Sequence, residues 1–321
     1  MAFRVKRAST LTELSEILAA CPDAYMVAGG TDIIPRENQG IEHHCTYVCI
    51  DKIPELQGIE RLPDGSVSIG AAVKLADIVE LPQLADFAAL RRACSKIATP
   101  QIRNQGTIGG NVLQENRCVY FNQSVSWRRI DLCYKLGGNR CYQYKGSDKC
   151  VALFQSDAAP VLISYGTRAL LVGSKGCRSV PLSSIYLDAG RKAKGADEIL
   201  MRLVIPPFAG RLLSAYERET IRNSFDFPLV SCALALTEEM GMVIGASMVM
   251  GSAGVKPGIV HEAEKLLCGR KVSDVGGSLE ELKKCGERAV MPFRDIRVDA
   301  VTRKAFAGAL VERVVKNIIG S

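Results

Sequence analysis

Short apolar runs and apolar stripes at helical spacing share this chain, a mixture that predicts an α+β fold. Leu11, Leu14, Ile17, Leu18 and Cys21 fall on one helical face, behind Thr10 and Glu13, which form a candidate capping box. Tyr25-Met26-Val27 and residues 47–50 read as short strands, and residues 66–71 alternate as a half-buried strand does. Helices are expected at residues 74–80 and 87–97, the second broken by Thr99-Pro100. Residues 160–164 and 168–172 read as two strands around Tyr165-Gly166-Thr167. Pro206-Pro207 and Gly210 mark a boundary. Beyond it, residues 229–237 and 242–250 form an antiparallel pair turned near Met240-Gly241, although Cys232 to Leu236 also suits a helix. Further helices are expected at residues 259–268, stopped by Gly269, and at residues 279–289. A last one runs from about residue 300 to 319, with Val301, Phe306, Leu310, Val314 and Ile318 on one broad face.

Two glycine segments interrupt this pattern. Gly29-Gly30-Thr31-Asp32 follows the Tyr25-Met26-Val27 strand, and Thr107-Ile108-Gly109-Gly110-Asn111 lies about 77 residues later. Neither has the spacing of a Rossmann fingerprint or a P-loop. Adjacent glycines admit positive φ and close backbone approach, so that successive N–H groups can converge on an anion. A single such segment is explained by a plain turn. Two of them, each after an apolar segment, favour a diphosphate held between two lobes.

Composition adds a second chemistry. Twelve cysteines occur in 321 residues, and four of them, Cys118, Cys133, Cys141 and Cys150, fall within 33 residues. No apolar h-region follows the charged N-terminal residues, so metal ligation in a reducing cytoplasm is expected rather than a disulfide framework. The intervals of fourteen, seven and eight residues match neither zinc-ribbon pairs nor ferredoxin runs. Four thiolates complete a cuboidal iron–sulfur cluster; structural zinc and unligated buried thiols remain the alternatives. Cys94, Cys232 and Cys268 sit in apolar runs as small hydrophobes, and Cys45 and Cys49 near His43 and His44 lack zinc spacing. No run approaches the roughly eighteen apolar residues needed to cross a membrane. The net charge of +7 is dispersed, which gives no nucleic-acid stripe.

Val27-Ala28-Gly29-Gly30-Thr31-Asp32 and Ile102 through Asn111 resemble the two FAD loops of the molybdenum hydroxylase flavoprotein subunits, the family of xanthine and carbon monoxide dehydrogenases. The resemblance extends over nearly the whole chain, including residues 218–228 and Arg294-Asp295-Ile296-Arg297. It implies a two-lobed FAD-binding fold of the vanillyl-alcohol oxidase/p-cresol methylhydroxylase type, followed by a C-terminal antiparallel sheet with helices. The implied division is residues 1–60 for lobe 1, 61–210 for lobe 2 with an insert at about 115–155, and 211–321 for the C-terminal domain. The FAD contacts it implies are Val27, Ala28, Gly29, Gly30, Thr31, Asp32, Ile33, Ile97, Thr107, Ile108, Gly109, Gly110, Asn111, Val119, Asp157 and Arg218. Arg218 stands where the family commonly has lysine. No histidine lies near either loop, so the flavin is expected to be non-covalent.

Most of that family has no cysteine cluster after the second loop. One branch, the β subunits of 4-hydroxybenzoyl-CoA reductases, resembles this chain in its cysteine order and in Tyr120-Phe121-Asn122-Gln123-Ser124. That resemblance implies a [4Fe–4S] cluster on Cys118, Cys133, Cys141 and Cys150. It also implies a large molybdopterin-binding partner subunit, a small partner with two [2Fe–2S] clusters, and ferredoxin as external carrier. The expected role is electron transfer, with no catalytic residue on this chain. An oxidative molybdenum hydroxylase running electrons outward, and a zinc-stabilised flavin-binding module, are the alternatives.

Overall fold

The computed structural model describes residues 3–291 and 297–320. Arg294-Asp295-Ile296 lies outside the described residues. Near the N-terminus a parallel three-stranded sheet is built from β1 (Arg4–Arg7), β2 (Ala24–Val27) and β3 (Thr46–Cys49), with β3 in the middle. Helix α1 (Leu11–Ala20) crosses from β1 to β2, and α2 (Ile33–Asn38) follows the first glycine segment, loop 1 (residues 29–32); the second, residues 102–111, is loop 2. The Thr10 side chain accepts the Glu13 N–H at 3.1 Å, while the Glu13 carboxylate takes the N–H of Ser9 at 2.7 Å, one residue before the usual capping-box target. Strand β1 has no apolar alternation, because its side chains are mostly exposed and it is held by pairing with β3.

The second sheet has the order β4-β5-β10-β6-β7 and is antiparallel throughout. Its strands are β4 (Ile59–Arg61), β5 (Val67–Gly70), β6 (Arg168–Gly173), β7 (Gly176–Pro181) and β10 (Ile199–Ile205). Helices α3 (Leu75–Glu80), α4 (Ala88–Ser95), α5 (Pro100–Arg103) and α6 (Ile108–Leu113) lie between β5 and the cysteine segment, and α7 (Ala158–Ser164) comes after it. A small hairpin, β8 (Tyr186–Asp188) with β9 (Arg191–Lys192), precedes β10. The largest core gathers Ile69, Leu90, Ile108, Val161, Leu162, Leu171 and Leu203 between this sheet and its helices.

The strand expected at residues 160–164 is instead helix α7, and all seven of its residues are buried. An apolar segment covered on every side has no polar face, so periodicity does not separate helix from strand there. Pro160 falls in the first turn, where its missing N–H costs nothing, and the Ser156 hydroxyl accepts the Ala159 N–H at 3.0 Å.

A four-stranded antiparallel sheet closes the chain in the order β11 (Arg211–Glu219), β12 (Val230–Glu239), β13 (Met242–Gly251), β14 (Gly258–Val260). Residues 258–260 are therefore strand, and helix α8 (Glu262–Leu267) starts later than the sequence suggests; Gly269 after it has φ 80°. Helices α9 (Leu279–Ala289) and α10 (Ala300–Ile319) cover one face of this sheet with Leu282, Leu310, Val314 and Ile318. Val301 does not join that face: it is 79% exposed, in the first turn beyond the sheet's cover. Among the described residues no helix is long and apolar enough to cross a membrane.

Leu310→Ala in α10 should cost about 2–5 kcal/mol by removing a fully buried side chain. Val301→Ala should stay within about 0.5 kcal/mol. Urea unfolding of both variants checks the assignment of the buried face.

Candidate functional site

The fold brings the two glycine loops into backbone contact. A Cβ at Gly29 would lie 1.9 Å from the Gln105 carbonyl oxygen, so nothing larger than glycine permits this approach. One residue on, Gly30 takes φ 70° and turns the chain from β2 into α2. Across the contact, a Cβ at Gly106 would lie 3.3 Å from the Thr31 hydroxyl. Gly109 is pressed against strand β5's exit in the same way: a Cβ there would meet the Ala71 carbonyl at 2.6 Å.

The donors of the two loops are used differently. In loop 2 the N–H groups of Ile108, Gly109, Gly110 and Asn111 go to the Val73 carbonyl, the Ala71 carbonyl, the Thr107 hydroxyl and the Thr107 carbonyl. Thr107 is therefore the N-cap of α6, and the expected convergence of these amides on an anion is not what loop 2 does. It is a packed turn that offers shape. Loop 1 retains its amides: its first engaged donor among the described residues is Ile34 N–H, to the Gly30 carbonyl at 3.0 Å. The Asp32 carboxylate beside these amides is held by Arg117 and, at 3.3 Å, by Arg36.

Asn111 extends loop 2 toward the third segment. Its side-chain amide oxygen accepts from the Ser156 hydroxyl at 2.6 Å and the Ala158 N–H at 3.4 Å, fixing the residues on either side of Asp157. Asp157 is only 4% exposed. It accepts from the Tyr216 hydroxyl at 2.5 Å and from Arg218 at 3.1 and 3.2 Å. Burial raises its pKa, against the pull of Arg218 and Tyr216 in the other direction. Asp157 and Arg218 are thus joined, as the shared site requires, but to each other. Of the remaining predicted contacts, Val27 and Ile33 bracket loop 1, Ile97 is packed in the core, and Val119 is exposed beside Cys118.

The cysteine segment forms an excursion whose base is closed by paired backbone hydrogen bonds between Arg117 and Leu153, at 2.8 and 3.0 Å. Asn116, fully buried, donates to the carbonyls of Ala152 and Val255 and so pins this base to the loop after β13. Cys118, Cys133, Cys141 and Cys150 line one pocket with Tyr120, Phe121, Lys135 and Tyr142. Its enclosed volume is about 10 Å³, room for about one water. Among the described residues no group of three or more His, Cys, Asp or Glu is disposed to hold a metal ion. The sulfurs are supplied with backbone donors: Tyr144 N–H to Cys141 and Ala152 N–H to Cys150, both at 3.4 Å, and the amides of Tyr120 and Phe121 to Cys118. Burial still pushes the Cys118 thiol up to about 11. His43 and His44 pair with Glu37 and Glu42 and form no site with Cys45 and Cys49.

Sequence reasoning missed the charged side chains that join these parts: Arg36, Glu115, Arg117, Lys135 and Lys192. None carries a local motif. Lys192 lies 4.7 Å from the Phe154 ring centroid and 5.4 Å from that of Tyr186, and burial lowers its pKa to about 8.

Two lobes meeting at a pair of glycine turns, with an antiparallel sheet behind them, define an FAD-binding flavoprotein architecture. Solved structures share it: CO dehydrogenase from Oligotropha carboxidovorans superposes over 100% of this chain and 98% of its own with a TM-score of 0.81 at 24% identity. Residues 1–208 match the family model described as the FAD binding domain in molybdopterin dehydrogenase, and the chain belongs to that family. It is the flavoprotein component of an oxidoreductase. The putative xanthine dehydrogenase FAD-binding subunit XdhB of Escherichia coli is 26% identical over 81% of this chain and 77% of its own. The aldehyde oxidoreductase FAD-binding subunit PaoB of the same organism is 28% identical over 83% and 86%.

Gly29→Ala should drive loop 1 away from Gln105 and lower FAD retention at least tenfold. Gly110→Ala, whose Cβ would meet only the Thr107 hydroxyl at 3.1 Å, should lower it far less. Flavin content after gel filtration measures both. Lys192 gives a pH signature. Its folded pKa is depressed, so between about 8 and the ordinary lysine value near 10.5 the unfolded chain holds the extra proton. Stability should therefore rise with pH over that window, by up to roughly 3 kcal/mol. Lys192→Met should remove this rise in unfolding titrations.

Proposed function

We propose that this chain is the FAD- and [4Fe–4S]-carrying electron-transfer subunit of a heteromeric molybdenum enzyme of the 4-hydroxybenzoyl-CoA reductase type. The observation that carries the reading is the convergence of Cys118, Cys133, Cys141 and Cys150 on one pocket, in an excursion rooted beside loop 1. The donor set suits iron: four soft thiolates, with backbone N–H groups already aimed at three of the sulfurs. Loading requires the thiols to deprotonate.

The FAD reading is supported by the family and by loop 1. Its free amides and positive-φ Gly30 suit a diphosphate, with Arg36 and Arg117 offsetting the Asp32 charge. Val27 and Ile33 on either side of loop 1 are buried with Tyr47 in a small core. Bound FAD exchanges electrons singly or in pairs and so joins one-electron centres to two-electron chemistry. A large molybdopterin-binding subunit and a small subunit with two [2Fe–2S] clusters are the expected partners, with ferredoxin as external carrier and a cytoplasmic setting. Catalysis on the substrate belongs to the large partner.

A second reading has specific support. The relatives named above are subunits of a xanthine dehydrogenase and an aldehyde oxidoreductase, which favours the same subunit in an oxidative enzyme that sends electrons outward. A zinc-stabilised module is the remaining alternative; the intervals of fourteen, seven and eight residues do not follow zinc-ribbon pairing.

Anaerobic purification with iron, sulfide and zinc analysis tests the cluster; four irons per FAD is the expected result, and one zinc without iron would refute it. Cys133→Ser should lose the iron while FAD still binds when supplied in excess. The identity of the co-purifying large subunit and its substrate decides between reductive and oxidative chemistry.

A further inference from the structure

One continuous set of ion pairs runs from the thiol pocket to loop 1. Lys135 lines the pocket beside Cys133 and is 5.1 Å from the Phe121 ring centroid. Its ammonium donates to Glu115 at 2.7 Å and to the Ala189 carbonyl at 3.4 Å. Glu115 lies 3.9 Å from Arg36, and its own N–H donates to Asp32 at 3.2 Å. Asp32 is in turn gripped by Arg36 and by Arg117, the chain neighbour of Cys118. Signs alternate along the set, and its side chains are between 3% and 24% exposed. The pairs therefore interact in surroundings that screen charge less than water does. Gly190, with φ 79°, lies directly against this set: a Cβ there would fall 2.3 Å from both the Glu115 carboxylate and the Lys135 nitrogen, and both would have to shift.

Asp32 is an anion at the place where an FAD diphosphate would be held. Without Arg117 its charge would be met by Arg36 alone, and less completely. Arg117 is placed by the base of the cysteine excursion, and Lys135 by its middle. Whatever orders the excursion therefore decides how completely the Asp32 charge is met.

We propose that Lys135, Glu115 and Arg117 are positioning residues that tie metal loading of the thiol pocket to FAD affinity at loop 1. The iron-loaded chain binds FAD more tightly than the iron-free chain, and by reciprocity FAD strengthens iron retention. The proposal rests on the reading of Cys118, Cys133, Cys141 and Cys150 as iron ligands. It adds a two-state element, the excursion, whose equilibrium both sites bias.

The test is an FAD titration of the full chain, in the complex in which it purifies, followed by flavin fluorescence under anaerobic conditions. Iron-loaded protein is compared with protein stripped by chelator, and with Cys141→Ser as a second iron-free form. Iron removal should weaken FAD binding about tenfold, within the range of ordinary coupling. Glu115→Gln and Lys135→Met should keep their iron but bring the two affinities within about twofold of each other. Lys135→Arg should restore the gap. An iron-loaded wild type whose FAD affinity equals that of its iron-free forms overturns the coupling alone, as does an undiminished gap in Glu115→Gln. A chain that binds FAD normally and takes up no iron overturns the iron reading, and the coupling with it.

Discussion

Gly29 and the Gln105 carbonyl meet with no space for a side chain between them, and the arrangement of both lobes depends on that contact. It sets the distance between loop 1 and the α5–α6 turn. The turn in turn fixes α6 through the Thr107 cap, and α6 carries Asn111, which anchors the residues around Asp157. A shift of a few ångströms at Gly29 would thus be passed on to every segment that frames the flavin site. Interiors packed to crystal density transmit such shifts rather than absorb them.

Behind this frame sits a buried charged trio: Asp157, Tyr216 and Arg218, drawn from α7's entry and strand β11. Such a pair adds little net stability, because desolvation offsets the attraction, yet losing one partner leaves an unmet charge and costs about 3–5 kcal/mol. Its value is in placement. It registers the C-terminal sheet against the flavin lobes at one spot, and the hydrophobic faces around it cannot slide without breaking it.

The sequence made the architecture readable where a segment has one wet face. Leu14 in α1 and Leu310, Val314 and Ile318 in α10 follow the expected stripes, and strands β12 and β13 turn at Met240-Gly241 as expected. It was silent where burial is complete or support is remote. Helix α7 has no polar face to betray its period, and β1 has no apolar one. Loop 2 shows the limit for sites: the residues of Thr107 to Asn111 were identified, but their amides are spent on Ala71 and Val73, strangers in sequence. Glu115 and Lys135 carry no motif because each acquires meaning only from partners 20 or more residues distant. The four cysteines were legible as a group because they fall within 33 residues, and they line one pocket.

The backbone pairing of Arg117 with Leu153 has an evolutionary corollary. Because the excursion leaves and re-enters the fold at adjacent points, excising it would leave two ends already side by side, ready for a short splice. A lineage could therefore acquire or discard the thiol-bearing module as a single genetic event, without re-engineering the flavoprotein beneath it.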